Sequence, residues 1–149
     1  MNKLVIYDSQ FGNTEKIAQA IGKIISAKTA KATNIDTSKL SNIDLLVIGS
    51  PTQGGRATPA IQKFLNSISL ETLIDVKVAV FDTRFLEKDL NFALRLLVKT
   101  IGYAAPKMAK VLTDKGGKLI AQPEGFIVKG KNGPLASGEL ERAEKWLKL

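Results

Sequence analysis

In Leu4-Val5-Ile6-Tyr7-Asp8-Ser9-Gln10-Phe11-Gly12-Asn13-Thr14 an apolar run breaks into small, hydroxyl- and amide-bearing residues. A helical pattern starts at once behind it, because Ile17, Ile21, Ile24 and Ile25 recur at one-face spacing. Strand, polar turn and helix in that order predict a strand over Lys3–Tyr7 and a helix over residues 13–28. The first peptide N–H groups of a helix have no internal partners, and the helix dipole adds partial positive charge there. An anion at that point is therefore bound by backbone donors, with Ser9, Asn13 and Thr14 adding side-chain contacts. Gly12 permits close approach and a positive φ. The turn holds no lysine or arginine, Lys16 being the nearest, so neutral donors would hold a phosphate. The Gly-Lys-Ser/Thr ending of a Walker A loop is missing, and so is Gly-x-Gly-x-x-Gly.

A second turn of the same kind follows Leu45-Leu46-Val47-Ile48, a continuous apolar run suited to a strand covered on both faces. That strand is expected over residues 44–49, ahead of Ser50-Pro51-Thr52-Gln53-Gly54-Gly55-Arg56-Ala57. Thr58 then caps a helix over Pro59–Ser67, with proline in the first turn. A third strand over residues 76–81 runs into Asp82-Thr83-Arg84-Phe85. A further strand is expected over residues 30–35, and Thr37–Leu40 suits only a helical turn.

After Phe85, Leu90, Leu94, Leu97, Val98 and Ile101 form an apolar stripe, read as buried against the sheet or as a docking helix. A helix over residues 106–115 ends at Gly116-Gly117. A fifth strand over residues 118–121 resumes at Phe126-Ile127-Val128. Lys129-Gly130-Lys131-Asn132-Gly133-Pro134 is rich in turn residues, and a last helix starts near Ser137, with Trp146 as a packing residue. Alternating strands and helices predict an α/β fold: a doubly wound, five-stranded parallel sheet between two helical layers, in one domain over residues 1–149. Ligands of such sheets bind at the carboxyl edge, near the reversal of strand order.

The chain has no cysteine and no histidine. Disulfides, thiolate nucleophiles, Cys/His zinc sites and serine–histidine triads are excluded, and redox chemistry would have to come from an organic cofactor. No apolar run approaches the roughly 20 residues of a membrane span. The strand begins so close to Met1 that a signal peptide has no room, and a cytoplasmic location is expected. The net charge is +8. Residues 1–75 carry 8 basic and 6 acidic side chains, and residues 76–149 carry 14 and 8. That excess fits a solvated surface or an acidic protein partner. A nucleic-acid platform would interleave aromatic residues with the lysines, and this chain does not.

The chain resembles the flavodoxins and flavodoxin-like domains, electron-transfer proteins that bind flavin mononucleotide (FMN). Gly12-Asn13-Thr14 matches the end of the family's phosphate loop, written Thr/Ser-x-Thr-Gly-Asn-Thr. Gly49-Ser50-Pro51-Thr52 followed by Gly54-Gly55 is similar to its first flavin-ring loop, and Asp82-Thr83-Arg84 sits where the second belongs. The resemblance implies the strand order 2-1-3-4-5. It implies that FMN is held by Ser9, Gln10, Phe11, Gly12, Asn13 and Thr14 at the phosphate. Pro51, Thr52, Gln53, Gly54 and Gly55, with Asp82, Thr83, Arg84 and Phe85, would bracket the ring. No catalytic residue and no metal ligand is implied.

Two positions depart from the family pattern. Phe11 stands where many relatives have threonine, and Gln53 where many have an aromatic residue against the ring. Stacking contributes about 0.5–1.5 kcal/mol beyond burial, so Phe85, or failing it Phe11, is the expected replacement; Phe85 also reads as a core anchor. Arg56 and Arg84 are candidate cations for tuning the flavin, with an ion pair to Asp82 or Glu87 as the other reading of Arg84. The function expected is electron carriage between redox partner proteins. A flavin-dependent reductase of a quinone-like acceptor and a flavodoxin-shaped interaction module without cofactor remain as alternatives.

Overall fold

The computed structural model describes residues 1–85, 91–93, 95–96 and 102–148. The stripe residues Leu90, Leu94, Leu97, Val98 and Ile101 lie outside them. The elements in chain order are β1 (Lys3–Tyr7), α1 (Asn13–Ile25), β2 (Lys28–Lys31), β3 (Leu45–Pro51), α2 (Pro59–Ser67), β4 (Lys77–Phe85), α3 (Ala104–Asp114), β5 (Lys118–Leu119), β6 (Glu124–Val128) and α4 (Glu139–Trp146). Short 3-10 turns at Ala32–Asn34 and Thr37–Leu40 link β2 to β3.

All strand pairings between these elements are parallel, in the order β2-β1-β3-β4-β5, with β6 also paired to β4. The fifth place in the sheet is thus a split strand, as the sequence pattern suggested. Between Val78↔Leu119 and Phe81↔Glu124 the outer strand takes five steps while β4 takes three. Pro123 falls inside that detour, where its missing N–H costs no ladder bond.

The three central strands are apolar throughout because each feeds two cores. Leu4, Ile6, Leu46, Ile48, Val78 and Val80 face α2 and α3, where Ile61, Phe64, Met108 and Leu112 meet them. Their neighbours Val5, Tyr7, Leu45, Val47, Ala79 and Phe81 face α1 and α4, against Ile17, Ile21, Ala143 and Leu147. Phe81, Phe126 and Trp146 form a mutual edge-to-face cluster, with centroids 5.9–6.1 Å apart, which makes Trp146 a packing residue.

Several boundaries differ from the pattern reading. The first helix stops at Ile25 rather than running to 28, since Ser26 turns left-handed (φ 56). Ile24 is exposed and not on the buried stripe. β2 occupies Lys28–Lys31 rather than 30–35, because the chain bends after Lys31 and puts Ala32 and Leu40 into the core. Thr58 precedes α2, but its hydroxyl does not cap it: the Thr58 N–H donates to Ser50 Oγ at 3.0 Å, and Thr58 Oγ1 is buried without a partner among the described residues. The last helix begins at Glu139, two residues after Ser137, with Gly138 before it.

The Glu139 carboxylate accepts from Ile127 N at 2.7 Å and from Arg142 Nε at 2.9 Å, and Arg142 also pairs with Glu124 at 2.8 Å. Burial alone would raise the Glu139 carboxyl, but the bonds from Arg142 and Ile127 outweigh it and hold it below its ordinary value. Arg142 is pushed up, chiefly by its bond to Glu139. This network fixes the end of β6 against α4.

Two predictions follow from packing and charge. A Cβ on Gly49 would fall within the ring of Phe81, so Gly49→Ala is expected to lose about 1–3 kcal/mol in urea unfolding. The double variant Gly49→Ala/Phe81→Leu should recover part of it, and strict additivity would contradict the clash. A depressed folded pKa means that the stability from Glu139 is complete above the ordinary Glu value of about 4.3 and is lost as pH falls through the lower folded value. Glu139→Gln should therefore flatten the acid limb of the stability profile below about pH 5; profiles of unchanged shape would refute the linkage.

Candidate functional site

The carboxyl ends of β1, β3, β4 and β6 open on one cleft of about 540 Å³, within the roughly 300–1,000 Å³ range of small-molecule sites. Ser9, Gln10, Phe11, Asn13 and Thr14 form its first wall. Pro51, Thr52, Gln53 and Gly54 form the second, and Thr83, Arg84 and Phe85 the third. Val128 and Lys131 complete it. Of the residues singled out from the sequence, Gly12, Gly55 and Asp82 do not line it.

Gly12 sits behind the first wall with φ +90, a conformation that glycine adopts without strain. Gly12 N–H and Glu15 N–H donate to Ser9 Oγ, at 3.1 and 3.3 Å, and Lys16 N–H to Gly12 O. The amides of Gln10, Phe11, Asn13 and Thr14 have no hydrogen-bond partner among the described residues. Four free donors at the start of a 13-residue helix suit an anion. Burial, and next the charge of Glu15, push the Tyr7 hydroxyl above its ordinary value, so a neutral phenol precedes this turn.

Polar bonds tie the walls together. Thr14 and Thr83 share a buried hydroxyl–hydroxyl bond of 2.8 Å, Gln53 Nε2 donates to Gln10 Oε1 at 2.8 Å, and Thr52 N–H to Thr83 O at 2.9 Å. Gln53, where an aromatic residue belongs in the family pattern, thus spends its amide on the first wall. Phe11 and Phe85 are 44% and 37% exposed, whereas Phe81 and Phe126 are fully buried. Both residues line the cleft; the other reading of Phe85, as an anchor for the helix that follows, falls on residues outside those described.

The stretch 82–85 is not a loop. β4 continues through Phe85, paired with β3 and then β6, and strand alternation separates its side chains. Thr83 points to α1. Asp82 is fully buried on the α3 side, where it receives Arg84 through Nε and a terminal nitrogen, both at 2.7 Å, and Ala105 N–H at 2.9 Å. Arg84 also lies flat on Tyr103, 3.6 Å from the ring centroid. Of the two readings of Arg84, the structure shows the ion pair, with Asp82 as the partner. Arg56 lines a separate groove with Lys107 and Met108.

The start of α3 supports the second wall from behind. Ala104 N–H donates to Thr52 Oγ1 at 3.1 Å, and Lys107 Nζ to Gly55 O at 2.6 Å. These contacts, and Lys131, were not found from the sequence. Lys131 carried one usable signal: it follows an apolar strand, as every other wall of the cleft does. Among the described residues there is no cluster of metal-ligating side chains, and no helix long and apolar enough to cross a membrane.

A family model described as a flavodoxin domain matches residues 4–131. The chain belongs to the flavodoxin-domain family, and membership implies a flavin cofactor. Among solved structures, oxidised flavodoxin 2 from Bacillus cereus is similar, with a TM-score of 0.74 and 21% identity over 97% of this chain and 94% of that one. A Streptococcus pneumoniae flavodoxin aligns with a TM-score of 0.71 and 14% identity, over 98% and 94% of the two chains. Rubredoxin oxygen:oxidoreductase from Desulfovibrio gigas aligns with a TM-score of 0.73 and 21% identity, covering 98% of this chain but 34% of its own. No curated protein sequence matches.

Removing Asp82 leaves Arg84 and the Ala105 amide without their acceptor. Asp82→Ala is expected to destabilise the protein by about 3 kcal/mol, and Asp82→Asn by less because an acceptor remains. Guanidinium melts test this, and an Asp82→Ala loss under about 1 kcal/mol would show the pair to be no more than a surface contact.

Proposed function

We propose that this protein binds FMN in the cleft and carries electrons between redox proteins. The observation that carries the reading is that Gln10, Phe11, Asn13 and Thr14, whose amides have no partner among the described residues, line one cleft together with the exposed Phe11 and Phe85 side chains. The donor set fits a phosphomonoester: neutral N–H groups at a helix start, with the Ser9 and Thr14 hydroxyls beside them. The flanking rings fit a flat aromatic body. A bound flavin supplies one- and two-electron chemistry that a chain without cysteine or histidine otherwise lacks.

The chain's own residues then have distinct tasks. The first turn fixes the phosphate, and Thr14 is held in place by Thr83. Pro51, Thr52, Gln53 and Gly54 on one side and Thr83, Arg84 and Phe85 on the other bracket the ring. Gly54 takes φ +57, and an added Cβ there would meet no atom within 4 Å. Its peptide is therefore free to take alternative orientations beside the ring. The three cross-ties between walls restrict the cleft before any ligand arrives, which lowers the ordering cost of binding. The exposed lysines of the second half, Lys107, Lys110 and Lys118 among them, favour an acidic protein partner through steering.

The test is a fluorescence titration of cofactor-free protein with FMN. Saturation at one FMN per chain is expected, and Thr14→Val should weaken it by roughly three- to tenfold, the worth of about one hydrogen bond. Failure of the wild-type chain to bind FMN would overturn the proposal and leave an interaction module. NAD(P)H oxidation by the purified protein alone would replace the carrier with a reductase.

A further inference from the structure

We propose that Lys131, from the turn after β6, is the cation that recognises the phosphate of the bound nucleotide and sets the preference for FMN over unphosphorylated riboflavin. The proposal rests on the reading of the cleft as an FMN site.

The turn is built and aimed. Lys129 N–H donates to Pro134 O at 2.9 Å and Gly133 N–H to Gly130 O at 3.0 Å, while Ala136 N–H donates to Ile127 O at 2.8 Å beneath them. β6 below is fixed by the Ile127–Glu139 bond. The turn folds onto the first wall of the cleft: a Cβ on Gly133 would lie 2.6 Å from Asn13 Oδ1, so only a glycine lets the backbone come so close. Asn13 opens α1, and its amide is one of the four free donors. Two residues before Gly133, Lys131 lines the same cleft.

Charge then assigns the role. No aspartate or glutamate lines the cleft. Of the two cations that do, Arg84 is held by Asp82 in a two-point ion pair. Lys131 is exposed and has no hydrogen bond or ion pair among the described residues. It therefore supplies the uncompensated positive charge of the walls. A phosphomonoester brings about −1.5 to −2 charges, whereas a helix start offers roughly half a positive charge. The first turn by itself leaves most of that charge unmatched, and one lysine removes a large part of the deficit. A lysine does this as a mobile point charge without a fixed geometry. A purely solvated lysine would instead leave phosphate recognition to the amides.

The experiment compares wild type, Lys131→Met and Lys131→Arg in titrations with FMN and with riboflavin, at low salt and at about 0.5 M salt. At low salt Lys131→Met should bind FMN roughly three- to tenfold more weakly, with riboflavin affinity changed less than about twofold. Lys131→Arg should keep the wild-type preference. At high salt the gap between wild type and Lys131→Met should close. An exposed, unbonded side chain holds nothing else in place, so the melting temperature of the cofactor-free variant should match wild type. Equal weakening of FMN and riboflavin, no weakening of either, or a gap that survives high salt would each overturn the role of Lys131 while leaving the flavin site intact. Loss of FMN binding by the wild-type chain would instead sink the site and this role with it.

Discussion

Everything in this molecule depends on three parallel strands, β1, β3 and β4, being buried on both faces at once. Neighbouring residues of each strand enter opposite cores, so every position from Leu4 to Tyr7 and from Leu45 to Ile48 must be apolar. Parallel strands also require helical crossovers, which bring every strand back in the same direction. All the carboxyl ends therefore lie on one edge. There the apolar runs stop, the ladder ends, and unpaired amides face a common space. The cleft is a consequence of the sheet rather than an addition to it.

Such an edge would be loose if its loops were held only by their own strands. Here buried polar residues at the strand ends hold one another. The Thr14–Thr83 hydroxyl pair joins α1 to β4, and Thr52 bonds both β4 and the start of α3. Asp82, itself fully buried, collects the partly exposed Arg84 and the Ala105 amide. An unpaired carboxylate there would be costly, and its satisfied state ties two elements that are far apart in sequence. The residues that line the cleft are thus held by bonds to one another and, at Arg84 and Thr52, by groups behind it: the Asp82 carboxylate and the Ala104 amide.

Much of this was legible in the chain. The Ile17–Ile21–Ile25 spacing behind Gly12-Asn13-Thr14 gave the first helix, the unbroken runs gave three strands, and the family resemblance supplied their order. The errors concentrate where tertiary contacts decide. β4 runs through Phe85 because β3 and β6 continue alongside it, although Asp82-Thr83-Arg84 has the composition of a loop. Ile24 fits the apolar period but falls just outside the buried stripe. Thr58 has the composition of a cap, yet its hydroxyl makes no capping bond, and its own N–H is held by Ser50 Oγ across the β3–α2 connection. Local propensity describes what a residue can do, and the neighbours present decide which of those options is used.

The amino-acid order by itself determined the layered α/β architecture, the free amides behind β1, and the absence of any thiol or imidazole chemistry. Each of these depends on residue type and spacing over a few turns. Tertiary structure alone decided that Asp82 is buried against Arg84, that Gln53 joins Gln10, and that Lys131 reaches the same cleft as Asn13. Those pairings link residues separated by anything from two positions to more than a hundred. They arise because strand alternation and the closing of the fifth strand carry particular side chains to one edge, a geometry that no local pattern encodes.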